Sequence, residues 1–387
     1  MPSPIYLDHA ATTPVRPEVF QAMEPFFGSR FGNPSSTHRW GREARAALDE
    51  ARERVANCLG ATPDEICFTS CGTEGDNMAV LGAWRAARGD GRRAVVSSAI
   101  EHKAILAAVH WAAHEGAEER IVPVDRHGLV DSDAFVAALG DDTAVASVMW
   151  VNNEIGTLQP IEDITLAARE RGVLFHTDAV QAFGKTAIDV RRVAVDMLTI
   201  SGHKIGAPKG IGAIFIRRGV TLEPLMHGGA QDRGRRPGTE NVAYAVALAR
   251  AAELAVEERE TETERLRVLR DALEAALLQR VPDAVVHGRG APRAPHILNV
   301  SVPGTDSESL LMALDLAGVA CSSGSACQSG NVEPSHVLAA LGVPRELAAA
   351  AVRMSLGKAT TDENVTRVSE LFPALITKAR RLAGATS

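Results

Sequence analysis

The chain has 387 residues, 45% of them hydrophobic and 23% charged, with a formal net charge of −7. That length exceeds one ordinary core, suits two packed domains and allows a deep pocket, and the composition is that of a globular enzyme rather than a disordered chain. The negative balance offers no broad basic footprint for a phosphate backbone, and no run of roughly 18 apolar residues occurs, so direct nucleic-acid binding and a helical membrane span are both excluded as expectations. The start, MPSPIYLDHAATTP, lacks the basic and apolar stretches of a leader, which points to the cytoplasm. The five cysteines (Cys58, Cys67, Cys71, Cys321, Cys327) are odd in number and contain no CxxC pair, which argues for reduced thiols over a disulfide framework or a structural zinc site.

Taken in chain order, Val- and Ile-rich runs alternate with Ala/Glu/Arg segments of helical period, the pattern of strands joined by crossover helices in a mostly parallel sheet. The fold class is α/β. A helix is expected over Arg42–Cys58, then a strand over Glu65–Thr69 that runs into Ser70-Cys71-Gly72-Thr73-Glu74. A Gly-Thr pair opening a helix presents free N–H groups, a hydroxyl and the positive dipole end to a phosphate, although many such turns are plain caps. Next come a helix (Glu74–Arg88), a strand (Ala94–Ser97) and a helix (His102–Glu115) that opens on His102. That imidazole is placed to lie over a cofactor ring, or is simply structural. The strand Ala144–Trp150 delivers Asn152-Asn153-Glu154-Ile155-Gly156 at its carboxyl end, where open α/β sheets bind ligands and where Asn and Gly also make ordinary turns.

After a helix over Ile161–Arg171, the strand Leu174–Thr177 closes on Asp178, with Gln181 three residues on. A carboxylate there suits the ring nitrogen of pyridoxal phosphate (PLP), which must stay protonated to draw electrons. A helix N-cap reads the same way, and His176 with Asp178 would give only two of a metal's ligands. The strand Met197–Ser201 then delivers Ser201-Gly202-His203-Lys204. Schiff-base chemistry needs a single lysine in a partly desolvated pocket, which makes Lys204 the candidate over a surface loop lysine.

A strand over Ala213–Ile216 and a basic loop, Arg233–Asn241, follow. The loop's Thr239 either approaches a phosphate, in this subunit or a partner, or is solvated. A long amphipathic stretch, Ala243–Gln279, runs on without a breaker, and after Val281 the texture turns to short strands (Val285–Val286, Ile297–Val302) and short helices. A domain boundary is expected near residue 260: residues 15–260 form the large domain, and residues 1–14 with 261–387 form a smaller α+β domain. That domain holds the small-residue loop Cys321–Gly330, in which Cys327 is the accessible nucleophile candidate and Cys321 the packed thiol. It also holds Arg353, whose fork suits a substrate carboxylate unless it is merely exposed.

Tyr6–Thr13, Gly32–Ser36, Glu101–Lys103, Val151–Gly156, Thr177–Gln181, Ser201–Lys204, Gly238–Asn241 and Ser322–Cys327 together resemble the NifS/IscS-like cysteine desulfurases of the aminotransferase class V superfamily, from about residue 5 to residue 361. The resemblance implies a PLP fold-type-I homodimer that takes L-cysteine, releases alanine, and carries the sulfur as a persulfide on Cys327 to an acceptor protein. It implies that Lys204 forms the Schiff base with PLP and moves the Cα proton, that Asp178 pairs with the pyridine nitrogen, and that His102 stacks on the ring. Gln181 and Asn153 would contact cofactor or substrate. Gly72, Thr73, Ser201 and His203 would hold the phosphate, with Thr239 reaching in from the other subunit, and Arg353 would bind the substrate carboxylate. Iron–sulfur assembly, tRNA thiolation and DNA phosphorothioation are the recipients such enzymes serve; a selenocysteine lyase or another class V enzyme is the alternative. Cys71 departs from the pattern, standing where the family usually has a small residue such as Gly, as inert filler or as a redox liability.

Overall fold

The computed structural model describes residues 3–323 and 334–382. Its centre is a seven-stranded sheet in the spatial order Ile66–Thr69, Gly212–Ile216, Met197–Ser201, Leu174–Asp178, Thr143–Ser147, Ala94–Ser98, Glu118–Val122. All neighbouring pairs are parallel except the two made by Gly212–Ile216, which runs antiparallel to both of its partners. This is the α/β sheet that the alternating pattern implies. Its inner strands are buried along their whole length except at Leu174, as a sheet covered by helices on both faces requires.

The edge strand Glu118–Val122 is the element the sequence concealed. Its residues are Glu, Glu, Arg, Ile and Val and only Val122 is buried, so it carries the charges that protect a sheet edge and lacks the apolar run that marks an inner strand. The helix expected from Arg42 begins at Arg39, because the His38 ring accepts from the Gly41 N–H at 3.2 Å and caps the first turn. It ends at Gly60, whose φ of +73° is the left-handed conformation a C-cap demands.

The stretch Ala243–Gln279 is not one helix. It divides into Val242–Glu257 and Arg259–Arg280 at Glu258, where the Glu258 carboxylate is held by Arg16 at 2.8 and 2.9 Å and by Lys358 at 2.6 Å. The break carries the chain from one apolar cluster to another: Ala245–Leu248 pack on the large sheet with Phe175, Leu198 and Phe215, whereas Leu266, Leu269 and Leu273 pack with Leu298, Val352 and Phe372. The second cluster lies on a three-stranded antiparallel sheet, Ala351–Ser355, Ile297–Ser301 and Val285–Val286. The amino terminus joins this part of the molecule, since Ile5–Tyr6 pairs in parallel with Val319–Ala320 and Asp8 bridges to Ser355.

Candidate active site

A chamber of about 370 Å³ opens at the carboxyl ends of the sheet strands. Strand ends and helix starts deliver its walls. Gly72 and Thr73 begin the helix Gly72–Ala87, directly after the strand Ile66–Thr69, so the first-turn N–H groups face the chamber without helical partners. A Cβ on Gly72 would stand 3.0 Å from Val180 Cγ2, so a larger residue there would crowd Val180. Across it, the Ser201 hydroxyl is buried with no partner among the described residues.

Lys204 follows the strand Met197–Ser201 on a single 3-10 turn. Its Nζ donates to the carbonyls of Ala10 (2.5 Å) and Ala11 (2.8 Å). Burial pushes its pKa down to about 8, the Arg353 charge pushes the same way, and the Asp178 carboxylate opposes them. The amine is therefore much closer to its neutral, nucleophilic form than a surface lysine. Asp178, 5% exposed at the end of its strand, accepts from the Val180 N–H at 2.8 Å; burial raises its pKa, and the charges of His102 and Lys204 counteract this.

His102 caps the helix Lys103–His114, its Nδ1 accepting from the Ala104 N–H at 3.1 Å; its ring is exposed to the open chamber, and desolvation by the surrounding protein lowers its pKa despite the Asp178 charge. The ring is thus fixed at one nitrogen, and its surroundings favour the neutral form. Gln181 spans the floor, donating to the Ala10 carbonyl at 2.9 Å while His296 Nε2 meets its Oε1 at 3.2 Å. Asn153 and Asn152 divide their work: Asn153 lines the chamber, whereas Asn152 is buried and its Oδ1 accepts from the N–H groups of Glu154 and Ile155, fixing the turn. His203 lies beside Lys204, its Nδ1 3.1 Å from Thr12 Oγ1, with burial lowering its pKa to about 4. Arg353 reaches in from the smaller sheet. Its Nη1 donates to the Asn153 carbonyl at 2.9 Å and its Nη2 to Asp8 at 2.8 Å, while its buried Nε has no partner among the described residues.

The structure thus gathers Gly72, Thr73, His102, Asn153, Asp178, Gln181, Ser201, His203, Lys204 and Arg353 into one chamber. Thr239 is not among them: it lines a separate depression with Arg236, Glu240 and Asn241. Cys327 lies outside the described residues. The chain approaches it from the chamber wall, because Ser322 lines the chamber and exchanges both backbone hydrogen bonds with Arg353, at 3.1 and 2.6 Å. Beyond it, Ser335 bonds the Glu154 carboxylate and His336 Nε2 meets the Glu101 carbonyl at 2.9 Å. Cys321 is packed, with burial pushing its thiol up to about 12. His176 is turned to Ser147 and Thr199, at 2.9 Å each, not towards Asp178.

Two acids went unnoticed in the sequence. Asp8 holds Arg353, and Asp76, one turn into the helix Gly72–Ala87 and 1% exposed, has an Oδ1 with no hydrogen-bond partner among the described residues. Asp76, Asp178 and His102 bring ligand-type atoms within 4.8 Å of one another. The signal for Asp8 was its place in the Tyr6–Thr13 motif; nothing in the pattern distinguishes Asp76 from an exposed helix acid.

The donor set fits PLP. A helix amino terminus with two unshielded residues and an orphaned buried hydroxyl suits its phosphate, a buried carboxylate suits its ring nitrogen, and a lysine with a lowered pKa suits its aldehyde.

The Aminotransferase class-V family profile matches residues 5–368. "Cysteine desulfurase IscS" of Dictyoglomus turgidum is 45% identical over 379 residues, covering 98% of this chain and 96% of the relative. A solved NifS-like protein superposes with a TM-score of 0.91 at 36% identity, covering 97% of this chain and all of that one. A structure of SspA in complex with cysteine superposes with a TM-score of 0.81 at 33% identity over 91% of this chain and 98% of that one.

Proposed function

This chain belongs to the aminotransferase class-V family, its activity is that of a cysteine desulfurase, and on that premise we propose that its chamber binds PLP and L-cysteine and that Cys327 carries the sulfur away. The observation that carries the reading is the pairing of Lys204 and Asp178 in one buried chamber, each bending the other's proton affinity.

Gly72, Thr73, Ser201 and His203 would hold the phosphate, Asp178 would face the ring nitrogen, and His102 and Gln181 would bracket the ring. Bound there, PLP supplies an electron-accepting ring that takes up the pair released when a proton leaves the substrate Cα. Lys204, with its pKa near 8, holds that proton and returns it. Arg353 offers its guanidinium edge to the substrate carboxylate, and Asp8 and the Asn153 carbonyl fix its plane. The Cys327 thiolate attacks the substrate sulfur: an S–S bond forms as the C–S bond breaks, the enzyme keeps the persulfide, and the carbon skeleton leaves as alanine once a proton replaces the sulfur. Four residues lie between Cys327 and Ser322 on the chamber wall, and the five steps along the chain give a reach of up to about 17 Å when extended. That span is enough for delivery to the substrate and to an acceptor outside.

Residues 15–260 serve as the large domain, and 1–14 with 261–387 as the small one, with the chamber at their junction; the two apolar clusters support this division. The functional unit is a homodimer in which Thr239, which lines a depression separate from its own chamber, contacts the partner's phosphate. No helix among the described residues is long and apolar enough to cross a membrane, and a protein that works through free thiols and a persulfide suits the reducing cytoplasm. The recipient is a sulfur-acceptor protein, with iron–sulfur cluster assembly as the leading use.

Cofactor loading tests the reading. The purified native chain, incubated with PLP, should show a visible absorption band that follows protein through gel filtration. Lys204→Ala should lack that band, and Asp178→Asn should hold the cofactor at least tenfold more weakly. A native protein that retains no PLP would overturn the proposal.

A further inference from the structure

A second cavity, of about 320 Å³, lies behind the chamber, and Lys204 belongs to the walls of both. Its volume is within the range of small-molecule sites. Val15, Ile205, Ala255, Leu266, Leu356 and Ala359 make its walls largely apolar.

The charges along the wall are paired, with one exception. Arg16 and Lys358 share Glu258, and Glu262 is held by Arg265 at 2.7 and 2.8 Å. Lys204 is satisfied by two carbonyls. Lys185 has neither an ion pair nor a hydrogen bond from its ammonium to any described residue, and burial pushes its pKa down to about 8, with Glu262 opposing only in part. Beside it stands His9, 7% exposed, which lines the same cavity and whose Nε2 is buried without a partner among the described residues. Burial, aided by the Lys185 charge, lowers the pKa of His9 to about 4, so the ring does not compete for an anion as a second cation but offers an N–H. Buried polar atoms are ordinarily partnered; water would satisfy the hydrogen bonds here but not the charge.

We propose that this cavity is a binding site for a small organic carboxylate, whose anionic end lies on Lys185 and His9 and whose hydrocarbon end lies against Val15, Ala255 and Leu266. The site is separate from the reaction chamber and does not depend on the reaction assigned to it. The partition between them is the Lys204 turn and the His9-Ala10 segment, joined by the bond from Lys204 to the Ala10 carbonyl, so occupancy of the rear site bears on the position of Lys204.

The test is a calorimetric titration of the holoenzyme with hexanoate, with hexylamine and hexanol as charge controls and excess L-alanine as a chamber competitor. Hexanoate should bind saturably at one site per chain, unaffected by alanine, with hexylamine silent and hexanol at least tenfold weaker. Lys185→Met should weaken hexanoate at least tenfold, and Val15→Trp, which fills the cavity mouth without touching Lys185, should abolish binding while the cofactor band persists. Absence of saturable binding to the native protein, displacement by alanine, equal binding of hexanol, or undiminished binding to a folded Lys185→Met protein would each overturn the proposal. The three measurements on native protein decide it even if a variant fails to fold.

Discussion

Arg353 Nη2 donates to Asp8 Oδ1 at 2.8 Å, tying an edge strand of the small sheet to the amino-terminal segment that also supplies Ala10 and Ala11 to Lys204. Their side chains are 5% and 20% exposed, so breaking the pair leaves the buried Arg353 charge uncompensated. Asp8→Ala should therefore lower the unfolding free energy by about 3 kcal/mol, measured by denaturant titration of the cofactor-free protein.

Arg353→Lys keeps the charge but loses the planar fork. The KM for cysteine should rise at least tenfold, with a smaller change in kcat, as read from steady-state sulfide release. Equal losses in KM and kcat for this variant would place Arg353 in the chemistry and not in carboxylate binding.

Lys204 carries a burial cost that pH should reveal. Its folded pKa of about 8 lies below the ordinary 10.5, so the cost is full below pH 8 and fades as pH rises from 8 to 10.5, where the unfolded chain holds the proton and the folded one does not. In the cofactor-free protein, Lys204→Met should be the more stable by roughly 2–3 kcal/mol at pH 7, and the advantage should disappear near pH 10.5. Melting temperatures taken across that range check the sign.

Asp76 shows the opposite slope. Burial, reinforced by the Asp178 charge, raises its pKa well above the ordinary 3.8, and the Thr199 hydroxyl offsets this only in part. A carboxyl with a raised folded pKa costs nothing below pH 3.8, and its cost grows as pH climbs to the raised value. Asp76→Asn should match native stability near pH 4 and exceed it increasingly towards pH 8, read from paired melting curves.

These last two groups mark where the sequence was legible and where it was not. Lys204, Asp178 and His102 stand at strand ends and helix starts, positions that an alternating pattern exposes to simple reading. Asp76 sits in the helix Gly72–Ala87, and only the tertiary packing shows that it is buried. The Asp8–Arg353 pair spans 345 residues, and no local pattern reports such a contact. A boundary was expected near residue 260, but the helix break at Glu258 was not marked locally: the helical pattern continues unbroken there, and the Glu258 carboxylate is held by Arg16 and Lys358, far away in the chain. The strand Glu118–Val122 was lost to its own charges. Thr239, expected to reach a phosphate in the other subunit, lines a depression separate from the chamber of its own chain.

The most direct measurement is alanine and sulfide release from L-cysteine, with PLP and a reductant, by native protein, Cys327→Ala and Lys204→Ala. Native protein should give equal amounts of both products, and both variants should give neither, with the Cys327→Ala protein still yellow from its cofactor. Undiminished release by Cys327→Ala would contradict the persulfide role and make the enzyme a lyase that expels its sulfur product directly.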